Sequence, residues 1–309
     1  MASVRDIRRR IKGVKATGKI TRAMEMISAV KMRKAVAQVT AIRPYAESVI
    51  DMLHQLAMLQ KFERHPLLTE RPVKKELYVV ISSNRGLCGG FNSQIIKKLR
   101  QTLKEDAGRE SVFITIGKKA DASVRRIIGE TTVAHERRGE IIASFSDILG
   151  TPNVELMRPV AKVMIEEFEK GHIDRVVMIY TDFKSMLSQE VKVRALLPVT
   201  ERDVHKALDE MGHADTVKER KLIAEYVIEP SPKKVLWKMI PRLIEMELYH
   251  AVLESNASQE AARMMAMRNA TDAAKEMVGD LTLAYNQIRQ GKITQEIAEL
   301  SAGMAAVQK

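Results

Sequence analysis

The chain has 309 residues, a formal net charge of +12, 4% aromatics, 18 Met and a single Cys. That length exceeds a typical domain of roughly 100 to 200 residues, so one core with a large extension, or two domains, is expected. Scarce aromatics and abundant Met argue against a β-rich core, no apolar run approaches the ~18 residues of a spanning helix, and the lone Cys88 excludes an internal disulfide and points to a reducing, cytosolic compartment.

Met1 to Lys34 holds eleven Lys and Arg against Asp6 and Glu25, which leaves +9 on that segment alone. A basic end of this kind attracts an acidic partner, whether nucleic acid, lipid headgroups or an acidic protein surface. Asp6 and the dense basic run also argue against a secretory leader. Val4, Ile7, Ile11 and Val14 recur at helical spacing, and the stripe is expected to resume at Ile20, Met24 and Ile27 after a phase shift near Thr17 and Gly18. Pro44 predicts a kink or short break near Arg43, because an interior Pro costs a helix roughly 3 kcal/mol. This first arm is taken as residues 1–65, ending at His65-Pro66.

Between Glu76 and Thr200 the period changes. The β-branched runs LYVVIS, VFITI, TTVAH and VVMIYT alternate with helical stretches near Ser93–Asp106, Lys118–Ile128 and Val154–Lys170. Such alternation predicts an α/β domain over 66–200 with a largely parallel sheet, and SQEVKVRALLPV adds an edge strand or hairpin arm. Residues 201–230 read as a polar linker, with a loop over Thr200–Tyr226 that has room for one short helix.

The last segment, 231–309, opens with Ser231-Pro232, an N-cap followed by Pro at the first helical position. A 3-4 repeat then runs Leu236, Met239, Leu243, Met246, His250, Leu253, Ala257, Glu260, Met264, Met267, Thr271, Ala274, Val278, Leu281, Tyr285, Ile288, with Pro241 near its start. A seven-residue repeat sustained this long marks a coiled coil. The register slips by one and continues at Ile293, Ile297, Leu300, Met304 and Val307. Because the α/β segment separates the two helical arms, they are free to pair antiparallel; the longer arm then leaves its last ~20 residues projecting alone. That tip is rich in small residues and weakly charged, which suits a socket formed by other chains.

Candidate chemistry is thin. The loop ISSNRGLCGGFN carries Gly86, Gly89 and Gly90, spaced neither as G-x-G-x-x-G nor as a P-loop, and no Lys follows. A structural turn is therefore the expected role. The seven histidines form no metal-binding spacing, Cys88 has no sequence-defined base, and no nucleophile elbow occurs. No catalytic residue, cofactor site or metal site is expected. The clustered Met residues (Met24, Met26, Met32; Met264, Met265, Met267) read first as core filler and second as adaptable contact surface.

The motifs IRRRIKGVKATGKITRAMEMISAVKMRKA, SSNRGLCGGFN, ASQEAARMMAMRNATDAA and ITQEIAEL, in that order, resemble those of the gamma subunit family of bacterial F-type ATP synthases over essentially the whole chain. The resemblance implies an α/β fold plus long helices: an antiparallel coiled coil of N- and C-terminal helices with an inserted Rossmann-like αβα domain. It implies a non-catalytic central-stalk rotor that couples proton flow to ATP synthesis or hydrolysis and regulates both ATPase activity and proton flow. Implied partners are three alpha and three beta subunits, the epsilon subunit and the membrane c-ring, with one copy per complex and no transmembrane insertion. The implied location is the cytoplasmic face of the bacterial cell membrane, as a peripheral protein. By motif position, Met24, Arg263, Gln290, Thr294 and Glu296 fall where the family places rotor-stator contacts. One departure is Met304 after Gly303, where the family signature usually has Ala, followed by an added tail to Lys309. The alternative is a basic coiled-coil protein that grips nucleic acid with its N-terminal arm, although Met1 to Lys34 has no aromatics for stacking and its apolar stripe needs a helical partner.

Overall fold

The computed structural model describes residues 4–59, 65–106, 108–133, 139–150, 152–199, 229 and 231–307. Contacts divide the chain into two compact units, Met1–Val30 with Arg263–Lys309, and Lys31–Ala262. Helix α1 spans Val4–Leu59 and helix α5 spans Pro232–Val307, so each contributes to both units.

In the first unit the two helices run antiparallel. Thr21 Oγ1 lies 2.7 Å from Thr271 Oγ1, and a Cβ built on Gly18 would sit 3.4 Å from the Ala274 Cβ. As α1 advances from 18 to 21, its partner retreats from 274 to 271. Continuing that register sets Val14, Ile11, Ile7 and Val4 opposite Val278, Leu281, Tyr285 and Ile288. All eight are covered at least in part, while nearly all of the residues between them on both helices are exposed. The seven-residue repeat is therefore the buried face, as coiled-coil packing requires. At Gly18 an added Cβ would already touch Ala274, which leaves little room for a bulky side chain.

The α1 stripe corrects the sequence expectation. No phase shift occurs at Thr17 and Gly18; the repeat passes through Gly18, Thr21 and Ser28. Ile20 and Ile27, expected in the seam, are 62% and 56% exposed. Small residues took the seam because the helices approach closely there, and the larger apolar ones were displaced outward. Pro44 also fails to break α1, which is helical on both sides of it. A proline removes one backbone donor, and a helix of 56 residues tolerates that loss when its neighbours hold it.

In the second unit, strands β1 (Lys75–Ile81), β2 (Glu110–Ile116), β3 (Gly139–Phe145), β4 (Arg175–Phe183) and β5 (Gln189–Leu197) form one sheet in the order β3-β2-β1-β4-β5. The first four are parallel, and β5 pairs antiparallel with β4 as the expected hairpin arm. Helices α2 (Phe91–Glu105) and α3 (Lys118–Val133) cover one face with Ile95, Leu99, Val124 and Ile127. Helix α4 (Val154–Glu169) covers the other, together with Ile240 to Leu253 of α5. This is the Rossmann-like αβα sandwich, with part of α5 built into its core. Here α5 is buried on several sides at once, so the coiled-coil seam governs it only beyond the sandwich.

One strand was misplaced by the sequence reading. Thr131–Val133 of the run TTVAH close helix α3, and Ala134 and His135 lie outside the described residues; the fourth parallel strand is β3, GEIIASF. Local β propensity is a weak guide where a helix already packs on the sheet. The loop expected over Thr200–Tyr226 and nearly all of the 201–230 linker lie outside the described residues.

Polar ties close the lower end of the sandwich. Glu76, 1% exposed, accepts from Tyr78 Oη at 3.0 Å and from Arg109 Nη1 at 3.2 Å, with Arg175 3.6 Å away. Burial and the carboxylates of Glu76 and Asp106 push the Tyr78 hydroxyl pKa far up, so it remains a donor. Arg71 lies over the Phe168 ring and donates to the Ile173 carbonyl at 2.8 Å, anchoring the start of the sandwich to the end of α4.

Gly18→Leu should separate the helices of the first unit. Its expected cost is about 1–3 kcal/mol of stability, read as a lower urea midpoint. His65 supplies a pH test. Its ring is buried against Trp237, its Nδ1 accepts from the Leu67 amide at 3.2 Å, and burial lowers its pKa below 6.5. The folded state thus favours neutral His65; the stability is fully present above pH 6.5 and falls as pH drops below it. Unfolding between pH 7.5 and 5 should show this slope, and His65→Gln should flatten it.

Candidate functional site

The glycine loop between β1 and α2 uses its polar groups on itself. Ser83 donates its amide to Asn92 Oδ1 at 3.2 Å, and its hydroxyl lies within bonding distance of the Arg85 carbonyl and the same Asn92 oxygen. Asn92 Nδ2 in turn donates to the buried Cys88 sulfur at 3.2 Å. Asn84 links outward, accepting from the Lys118 amide at 3.0 Å and donating to the Ser146 carbonyl. Of the three glycines only Gly89 has a positive φ, 55°, while the other left-handed position is Leu87 at 62°. A turn this thoroughly cross-linked is a structural joint, and Cys88 is a packed side chain within it.

The remaining sequence candidates scatter. His172 pairs with Glu167 at 3.0 Å at the surface, and His250 lies 3.5 Å from Glu254 along α5. Among the described residues no group of three or more His, Cys, Asp or Glu is placed to hold a metal. Glu260, a polar seam position, is 5% exposed in the sandwich unit.

The five contact candidates fall at two levels of the first unit. Met24 is half-buried on α1 and Arg263 is 9% exposed at the base of the paired stretch. Gln290, Thr294 and Glu296 lie on an α5 segment whose residues, 289 to 304, are all exposed. Thr294 spends its hydroxyl on the Gln290 carbonyl at 3.0 Å, so the outward groups there are the Gln290 amide and the Glu296 carboxylate. At about 1.5 Å per residue, the two levels are roughly 40 Å apart along α5.

Two apolar rows share this unit. One is the tip row Ile293, Ile297, Leu300 and Met304, with exposures of 47% to 69%. The other is Ile20, Met26, Ile27 and Val30 on α1, at 56% to 62%, which the sequence reading assigned in part to the seam. Extending the strict repeat of Val4, Ile7, Ile11 and Val14 onto Gly18 and Thr21 would have revealed this second row. All eleven Lys and Arg of the first 34 residues are exposed. The geometry is that of two antiparallel helices with a basic surface, apolar outward rows and an uncovered end.

A family model described as ATP synthase matches residues 3–307. The chain is also 39% identical over 307 residues to the ATP synthase gamma chain of Moorella thermoacetica, covering 99% of this chain and 100% of that one. The chain belongs to the ATP synthase gamma chain family. Another member, from Nitrosococcus oceani, is 37% identical over 309 residues, again at 99% and 100% coverage. Among solved structures, a chain from the central stalk and c-ring of the Tetrahymena thermophila mitochondrial ATP synthase aligns with a TM-score of 0.57 at 25% identity, over 81% of this chain and 99% of that one. A chain of the Euglena gracilis mitochondrial ATP synthase aligns with a TM-score of 0.64 at 20% identity, over 98% and 94%, a likeness of fold. The nucleic-acid reading finds no support in these matches.

Asn92→Ala should loosen the loop at a cost of about 1–3 kcal/mol in urea unfolding. ATP titrated into either the parent or the variant chain should give no saturable heat, whereas a binding isotherm would reassign the loop.

Proposed function

We propose that this chain is the central-stalk rotor of a proton-translocating F-type ATP synthase. In this reading it carries no catalytic residue, and the nucleotide sites belong to neighbouring subunits. The arms 1–65 and 231–309 form the shaft, 66–200 forms the foot, and 201–230 links foot to shaft. The observation that supports this most directly is the course of α5: core of the sandwich, then half of a two-helix seam, then a wholly exposed end with an apolar row.

The shaft turns within three alpha and three beta subunits, while the foot, with epsilon, rests on the c-ring at the cytoplasmic face of the membrane. The chain is peripheral and present once per complex; no described helix is long and apolar enough to cross a bilayer. The two faces of the hairpin differ, with an apolar row on α1 and none equivalent on the opposite side of α5 at that level. A rotor with unequal faces offers each surrounding site different contacts at each angle, and differential contacts shift a site between open and closed populations. Met24 and Arg263 act at the lower level of contact, and Gln290, Thr294 and Glu296 at the upper. The same contacts let the rotor regulate ATPase activity and proton flow.

The test is reconstitution with alpha and beta subunits. The full chain should assemble with them and raise ATPase turnover, and deletion of Gln295–Lys309 should reduce turnover several-fold while leaving the sandwich folded by circular dichroism. A full chain that neither assembles nor alters turnover would refute the rotor reading.

A further inference from the structure

Open α/β sheets take ligands beyond the carboxyl ends of their strands where strand order reverses. In this sheet that point lies between β1 and β4. Here the chain covers it with its own helix. Ser258 of α5, 0% exposed, donates its hydroxyl to the Thr181 carbonyl at 3.3 Å, and Ala262 packs against the cluster that contains Val80, Phe91 and Ile179.

Two hydroxyls lie under that cover. The parallel register of β1 and β4 ends with Val80 beside Ile179, and Ser82 and Thr181 each follow two residues later along their chains. Strand side chains alternate, so both point to the face that Val80 and Ile179 share. Ser82 is 2% and Thr181 1% exposed, and among the described residues neither hydroxyl oxygen has a hydrogen-bond partner. Buried hydroxyls are bonded in the great majority of proteins, to protein or to ordered water, because losing their hydration uncompensated is costly. Neighbouring strands lie about 4.8 Å apart, a span one water can bridge by donating to one hydroxyl and accepting from the other. The Ser258 hydroxyl, whose proton goes to the Thr181 carbonyl, keeps lone pairs for a third bond.

We propose that Ser82 and Thr181 bind one ordered water at the switch point of the sheet, sealed in by Ser258–Ala262 of α5. The crevice that related sheets leave to a ligand is here a hydrated seat for the helix.

The near-isosteric pair Ser82→Ala and Thr181→Val tests this in the full-length chain. Each single change should lower the thermal midpoint by about 2–4 °C, and the double variant by about as much as either alone, because the water is lost with the first hydroxyl. Unchanged or raised midpoints would mean the hydroxyls have no partner to lose, and the proposal fails. A crystal structure of the unmodified chain at a resolution that orders waters should show density within hydrogen-bond distance of both oxygens. A direct bond between the two hydroxyls, or empty density, overturns the proposal.

Discussion

A long helix gains most of its stability from whatever covers its apolar face, and that cover changes along α5. Over Ile240 to Leu253 the cover is the sandwich, and the helix is apolar on several sides. From Met264 to Ile288 the cover is α1, and between Thr271 and Leu281 only every third or fourth residue is shielded. Beyond Ile288 no shielding is left in the described chain, yet Ile293, Ile297, Leu300 and Met304 still form a row. The sequence thus records three successive environments along one continuous helix, the last of them exposed.

The contact between α1 and α5 depends on small residues more than on large ones. Gly18, Thr21, Thr271 and Ala274 bring the backbones together, and the two threonines also satisfy each other's hydroxyls. Each also lies within reach of a carbonyl of its own helix, Gly18 at 3.1 Å and Met267 at 2.8 Å, so one threonine donates to the other and the accepting one donates to its own carbonyl. The polar layer is therefore satisfied from both sides, which favours this register over a slipped one. Bulky residues on either side of the layer would hold the helices apart and leave those hydroxyls unmatched.

Much of this was legible in the residues. The 3-4 repeat of α5 is strict enough to be read without a structure, and the alternation of strands and helices identified the sandwich. The α1 seam was harder because its interior residues are glycine, threonine and serine, while Ile20 and Ile27 advertise the wrong face. Strand β3 was hidden by its own composition, with Gly139, Glu140 and Ser144 diluting the signal, whereas the threonines before it look more strand-like than the helix end they form. As for the contact residues, sequence position named Met24, Arg263, Gln290, Thr294 and Glu296; how little of Arg263 reaches the surface depends on packing that no local pattern encodes.

The uncovered row at the end of α5 bears on how the assembly is built. A newly made chain carries an adhesive end before it has a socket, and apolar side chains at one-turn spacing on a lone helix suit a second copy as well as the intended host. Free chain should therefore be short-lived in solution, drawn either into self-association or onto its ring. The surrounding subunits would then act as the chaperone of the shaft, and the supply of those subunits would set how much of the chain persists.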